Sequence, residues 1–500
     1  MNDPTISRRL VLQQLASLGV LGALGTLRAG PLAAAASTEP AQTVAGVSGK
    51  VIRRRDGDYE LWRQAMVWHD SKPDRYPDLM VQATSTQDVI AAVKYAAQNA
   101  LRVAVRSGGH NANGPSLRDG GMLIDVSAMS DIAIDEKTQV ASIQPGVRSS
   151  QLVGAALEKG LSFPVPHCPS VGMSGFTMGG GIGWNYAQHG GFATFSIVGA
   201  EIVTAAGQLV KTDAQTRPDL FWALRGMGPG FFGVVTRLYL QLYPVPVSMM
   251  ASSYILPLDD LPTVTSTLDS IREKNEMERV ELLVLLLHHP DAPPEAPAAD
   301  AKICFVTAFA FEDSVEQATA ALAPFARSAL GSKSAVKIEN QQYSYEQLYE
   351  TYFSLEDPGG RMARYAVDNV LTDEGGKTLE ALAGHFRHGA PTRDTHVLAA
   401  FNMQVRTRPD SCISWNADTY LGCYAIWDDP AEDERNFAWV NDAIPLMDPF
   451  AVGHYVNEVE GRGHPDRFRQ CFTDENWQRL QQLRAKYDPN GVFHHYLGHS

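Results

Sequence analysis

The sequence predicts an α+β fold, and three features predict it. Short strand-like runs alternate with helical patterns and glycine turns from Pro77 to Pro246. Two of those runs, Ala200–Thr204 and Gln208–Val210, are joined through the tight Ala206-Gly207 turn of a hairpin and not through a helical crossover. At Pro244-Val245-Pro246 the composition shifts, and a second set of longer strand-like runs begins. Hairpin connections argue against a doubly wound parallel sheet. The 500 residues are too many for one core, and domains of about 150 residues each suggest two or three.

The elements follow in order. Residues 1–36 combine Ser7-Arg8-Arg9-Leu10-Val11, an apolar run to Leu27 and the small-residue tract Pro31–Ala36. This is the pattern of a twin-arginine signal peptide. The run contains Gln13 and Gln14 and is too short for a membrane span. It implies the twin-arginine translocase as an export partner, a periplasmic or extracellular location, and no membrane attachment after cleavage. Residues 37–76 read as a linker and the start of the first domain, which occupies residues 77–246. There Thr86 can cap a helix in which Val89, Ile90, Val93 and Ala97 recur at helical spacing, ending before the strand Arg102–Val105. Met122–Val126 and Val140–Gln144 read as strands, Ser149–Lys159 as a helix stopped by Gly160, and Pro218 opens the helix Asp219–Leu224. Phe232–Leu242 alternates like a long half-buried strand.

A second domain, residues 247–475, holds the strand-like runs Val280–Leu287, Ala301–Phe311, Val397–Val405 and Thr419–Trp427 among helical stretches. That suits an antiparallel sheet covered by helices on one face. The last segment, residues 476–500, holds an amphipathic helix Trp477–Tyr487 that ends at Asp488-Pro489-Asn490-Gly491.

Composition excludes some functions. A formal net charge of −14 with scattered basic residues argues against nucleic acid or an anionic membrane as partner. No G-x-S-x-G or P-loop is present, so hydrolase and kinase chemistry lack residues to carry them. The five cysteines, Cys168, Cys304, Cys412, Cys423 and Cys471, are an odd number, leaving at least one thiol unpaired. Cys412 and Cys423 either pair or sit apart as core thiols. His494, His495 and His499, and His288-His289, lack the spaced ligands of a metal site and read as surface decoration.

The chemistry-bearing residues lie in two glycine loops. One is Val165–Trp184, VPHCPSVGMSGFTMGGGIGW, which sets Cys168 beside a run of glycines. The other is Arg106-Ser107-Gly108-Gly109-His110, straight after a strand-like run. The glycine run Gly179–Gly183 lacks the spacing, preceding strand and later acidic residue of a nicotinamide-dinucleotide site. The two loops instead suggest backbone that closely approaches a diphosphate, with a histidine and a cysteine as attachment points on one large planar cofactor.

Three motifs in order, RSGGHNANG from Arg106, CPSVGMSGFTMGGGIG from Cys168 and PDLFWALRGMGPGFFGVVT from Pro218, resemble the berberine bridge enzyme-like branch of the FAD-linked oxidases. Tyr455-Val456-Asn457 and the closing Lys486–Phe493 match as well. The resemblance implies a PCMH-type FAD-binding domain of two α+β subdomains plus a substrate domain. It implies FAD bound covalently by His110 and Cys168, at the 8α-methyl and C6 positions of the flavin. The cofactor residues it carries over are Arg106, Ser107, Gly108, Gly109, His110, Asn111, Gly114, Cys168, Val171, Gly172, Gly175, Gly179, Gly180, Gly181, Gly183, Val234 and Asn457.

It further implies oxidation of a small organic substrate (alcohol, sugar or phenolic/alkaloid-like) by hydride transfer to flavin N5. Tyr455 is the candidate base and Tyr424 a weaker second. Glu458 and His189 stand where relatives carry tyrosines, and either can share the base role; Phe231 and Ala112 are further departures. Val171 falls at the family's oxygen-gate position, which favours O₂ as electron acceptor and hydrogen peroxide as product. A dehydrogenase with another acceptor, or a flavin-binding protein with degenerate catalysis, are the alternatives.

Overall fold

The computed structural model describes residues 44–289, 292–293, 296, 301–356, 362–404 and 408–499. The signal-peptide expectation therefore lies outside the described residues. Among those residues, no helix is long and apolar enough to cross a membrane.

The N-terminal part contains two sheets. In the first, strands follow the order Lys50–Arg53, Leu79–Gln82, Met122–Asp125 and Val103–Arg106, the first pair antiparallel and the other two parallel. The helix Thr86–Gln98 packs Val89, Ala92, Val93 and Ala96 into the core. Its cap is Ser85, whose hydroxyl accepts from the Asp88 amide, one residue before the expected Thr86. The second sheet is antiparallel, in the order Ile132–Asp135, Val140–Ile143, Val234–Gln241, Ile197–Val203 and Leu209–Thr212. The expected hairpin is its outer pair, strands Ile197–Val203 and Leu209–Thr212.

A seven-stranded antiparallel sheet roofs this part, in the order Val336–Gln342, Ser248–Pro257, Lys302–Glu312, Val280–His288, His396–Phe401, Thr419–Trp427 and Arg364–Thr372. Successive side chains of a strand point to opposite faces, so its two faces are readable residue by residue. Leu282, Val284 and Leu286 join Val306, Ala308 and Ala399 in a core with the helices Leu261–Glu273, Val315–Ala326, Gly375–Gly389 and Asp433–Met447. Leu283, Leu285, Phe309, Phe311, Val367, Leu398, Ala400, Tyr420 and Tyr424 point the other way, into the core shared with the N-terminal part. Burial on both faces accounts for the unbroken apolar run at 282–287, which a half-exposed strand would not tolerate.

One open alternative is resolved here, in favour of separate core thiols, and one expectation changes. All five cysteines are buried, and none forms a disulfide. Cys412 contacts the carbonyls of Ala223 and Arg225, whereas Cys423 lies 3.7 Å from Met447 Sδ. They belong to different cores and cannot meet. The terminal histidines are not surface decoration either. The chain end lies along the first sheet, with the Val103 amide donating to Val492 O at 2.7 Å and the His494 amide donating to Val103 O at 2.9 Å. This buries His495 and turns His494 into a cavity wall.

Candidate active site

A cavity opens between the two glycine loops, the roof sheet and the returning C-terminal segment. Arg106, Ser107, Gly108, Gly109, His110, Asn111, Gly114, Cys168, Val171, Gly172 and Gly175 all line it, as do Tyr455, Asn457 and Glu458. The two loops touch backbone to backbone. A Cβ on Gly108 would stand 2.7 Å from the Gly172 nitrogen, so side chains are excluded from this contact. Gly109, at φ +69°, turns the chain so that His110 faces the second loop.

His110 Nε2 lies 3.7 Å from Cys168 Sγ and 3.0 Å from Ser170 Oγ, and the thiol lies 3.1 Å from the same hydroxyl. Burial, aided by the positive charge of Arg148, pushes the His110 imidazole down to about 4. At neutral pH it is therefore uncharged and keeps a nitrogen lone pair. Trp68 stacks on it, with ring centroids 4.2 Å apart. His167 also lines the cavity, is held down to about 4 by burial, and meets Trp184 edge-on.

The run Gly179–Gly183 serves a different purpose from the one expected. None of Gly179, Gly180, Gly181 and Gly183 lines the cavity. A Cβ on Gly179 would stand 2.0 Å from Asn457 Oδ1, and Gly180 lies under the Tyr455 ring. The Gly181 amide donates to the Tyr455 hydroxyl at 3.1 Å, and Asn457 Nδ2 donates to it at 3.0 Å. These glycines make room for the Tyr455–Asn457 pair. Val234 is likewise displaced: Gly233 and Val235 form the wall, and strand alternation turns Val234 away. His189 is not brought to the cavity at all. It stacks on Tyr243 at 3.8 Å and bonds Asn185 at 3.0 Å.

Glu458 meets two roof tyrosines. Tyr424 donates to Glu458 Oε2 at 3.1 Å, Tyr420 donates to the same oxygen, and the two hydroxyls lie 2.7 Å apart. Burial raises the Glu458 carboxyl above the usual range, an effect that the tyrosine hydrogen bonds partly offset. Tyr455 and Tyr420 are pushed far up by burial, so both stay protonated.

Sequence reasoning missed Trp68, Tyr365 and Tyr420. Trp68 and Tyr365 line the cavity, and their rings meet edge-on at 6.3 Å. No local pattern marks them, since each arrives from a distant segment.

FAD is tested here by the donors on the wall. Arg106 Nε and His494 Nε2 are buried with no hydrogen-bond partner. Arg118, also on the wall, is paired with no carboxylate among the described residues and bonds the carbonyls of Pro115 and His495. Burial and the nearby Arg75 and Arg102 push it down to about 10. Arg106 pairs with Asp125 at 3.2 Å, but the half-buried Arg118 guanidinium without a carboxylate partner and the unpartnered N–H sites beside it suit an anion. A planar ring system near His110 and Cys168 with a diphosphate toward Arg118 and His494 suits this donor set. Among the described residues, no cluster of metal ligands is present.

A flavin suits this cavity, and the comparisons give the class as an FAD-linked oxidoreductase. Residues 77–213 match the FAD binding domain model, and residues 454–498 match the "Berberine and berberine like" model. An FAD-linked oxidoreductase of Penicillium janthinellum is 28% identical over 448 residues, covering 86% of this chain and 93% of its own. The (R)-6-hydroxynicotine oxidase of Paenarthrobacter nicotinovorans is 38% identical over 234 residues, covering 46% of this chain and 50% of its own. The crystal structure of 6-hydroxy-D-nicotine oxidase from Arthrobacter nicotinovorans superposes with a TM-score of 0.77 at 24% identity, covering 92% of this chain and 99% of that one. The chain thus carries an FAD binding domain and a berberine-like C-terminal segment, and over most of its length it is similar to FAD-linked oxidoreductases.

Proposed function

We propose that this enzyme is an exported oxidase of a small organic hydroxyl- or amine-bearing substrate, with Glu458 as the base. The observation that carries the reading is Glu458 on the wall of the cavity that also holds His110 and Cys168, in an oxygen triangle with the Tyr420 and Tyr424 hydroxyls, which do not themselves line that cavity. Two hydroxyl protons serve three oxygen–oxygen contacts, so the triangle is one proton short while Glu458 is ionised. Accepting the substrate proton at Oε2 completes it. Burial makes this carboxylate a stronger base than a surface glutamate, which suits proton abstraction near neutral pH. Tyr455, the candidate base by sequence, receives two N–H donors and orders the Gly179–Gly181 turn beneath it.

His110 and Cys168 would hold FAD covalently, and Arg118 and His494 would face its diphosphate side. When bound, FAD would supply the electron sink for a two-electron oxidation of the substrate, with O₂ as the acceptor that would leave as hydrogen peroxide. Trp68 and Tyr365 would position the substrate against that ring. Val171, small and on the cavity wall, supports access of O₂. The Arg8-Arg9 leader supports twin-arginine export to the periplasm or beyond.

The test is anaerobic mixing of the yellow protein with a panel of (R)-6-hydroxynicotine, phenolic amines, alcohols and oligosaccharides. Bleaching of the visible flavin band by one class, followed by fast reoxidation in air with peroxide release, supports the oxidase. Bleaching with slow reoxidation selects a dehydrogenase, and a panel without bleaching contradicts the catalytic reading.

A further inference from the structure

We propose that Asn113 and Asn369 are positioning residues that set Tyr455 and Glu458 in place, one from each domain; the catalytic part rests on Glu458 being the base. The segment 454–461 belongs to no strand or helix, although its backbone is largely buried. Buried amides must nevertheless find partners. Here side-chain amides supply the ladder that a neighbouring strand would otherwise provide.

On the roof side, Asn369 Nδ2 donates to Tyr455 O at 3.0 Å while Asn369 Oδ1 accepts from the Tyr455 amide at 2.8 Å. That is the double bond pattern of two residues facing each other across an antiparallel pair. On the cofactor side, Asn113 Nδ2 donates to Val459 O at 2.7 Å and Asn113 Oδ1 accepts from the Gly461 amide at 2.9 Å. Between them, Asn111 Nδ2 donates to Asn457 O at 2.7 Å, and the Glu460 amide donates to Asp368 at 2.8 Å.

Asn111 and Asn113 closely follow His110 in the sequence, and Asn111 Oδ1 accepts from the Asn113 amide at 3.0 Å. The loop carrying the histidine and the segment carrying Glu458 are thus clipped together. Asn113 is 5% exposed and Asn369 fully buried, so neither amide has water as a substitute partner.

The experiment uses flavin-loaded full-length enzyme with Asn113→Leu and Asn113→Asp. In Asn113→Leu, amide hydrogen exchange should lose protection within 455–461 and nowhere else, with flavin content unchanged. Its rate of flavin bleaching by the panel compound that reduces wild type should drop by about 10–100-fold, the usual penalty of misplacing a reacting group by an ångström, while half-saturation moves little. Asn113→Asp turns a carboxylate oxygen toward Val459 O, and protonation restores a donor there. Its rate relative to wild type should therefore recover as pH falls. Unchanged protection at 455–461, protection lost across the whole chain, or a rate loss no larger than the flavin loss would each overturn the proposal. If no panel compound bleaches wild type, the catalytic reading fails, and the exchange pattern alone still decides whether these amides position the segment.

Discussion

Glu458→Gln isolates the proton-accepting step. Glutamine keeps the length of the side chain and offers Oε1 to the Tyr420 and Tyr424 hydroxyls, so both tyrosines stay partnered. Only the capacity to take the missing proton is removed. A positioned general base contributes about 10²–10⁴-fold, so the rate of anaerobic flavin bleaching should fall roughly 10³-fold, about 4 kcal/mol of barrier. The pH dependence carries its own sign. Burial raises the Glu458 carboxyl, so the working, ionised form is lost as pH falls through a value above the ordinary glutamate range. Wild type should lose rate along that limb, and Glu458→Gln should show no such limb. Flavin content and melting temperature should stay near wild type. Bleaching at the wild-type rate, or an unchanged acid limb in the variant, would refute the assignment.

Other outcomes are expected. Gly179→Ala should force Asn457 away, because its Cβ would sit 2.0 Å from Oδ1; overpacking of about 1–3 kcal/mol should appear as a lower denaturation midpoint. Arg467→Met should strand the fully buried Asp368, with which Arg467 pairs at 2.5 Å; a loss of about 3–5 kcal/mol is expected by urea unfolding. Glu281 is buried beneath the Ala187 amide at 3.1 Å, and burial pushes its carboxyl up to about 8. The folded state therefore holds that proton more tightly, its stabilisation is full at acidic pH, and it is lost as pH rises toward 8. Glu281→Gln should accordingly raise the melting temperature at alkaline pH and change it little at acidic pH.

The parts legible in sequence were those with local causes. His110 and Cys168 sit in loops whose glycines mark close backbone approach, and the structure brings the two side chains together. The strand Thr419–Trp427 was bounded correctly because period and composition agree over its length. Glycine does not, however, say what approaches it. Gly179–Gly181 looked like phosphate backbone and instead receive Tyr455 and Asn457, which lie far along the chain. Val234 missed the wall by one residue, the smallest error that strand alternation turns into the opposite face. Trp68, Tyr365 and Tyr420 reach the site only through the sheet and loop packing. The C-terminal histidines misled because polar residues near a chain end are usually solvated, whereas here the edge at Val103 captures them.

The most direct measurement is mass spectrometry of peptides from denatured, protease-digested enzyme. Two-point attachment of FAD predicts that the peptides carrying His110 and Cys168 remain joined through one flavin, with Cys168→Ala leaving it on the His110 peptide alone. Free FAD released on denaturation, with both peptides at their unmodified masses, would contradict it.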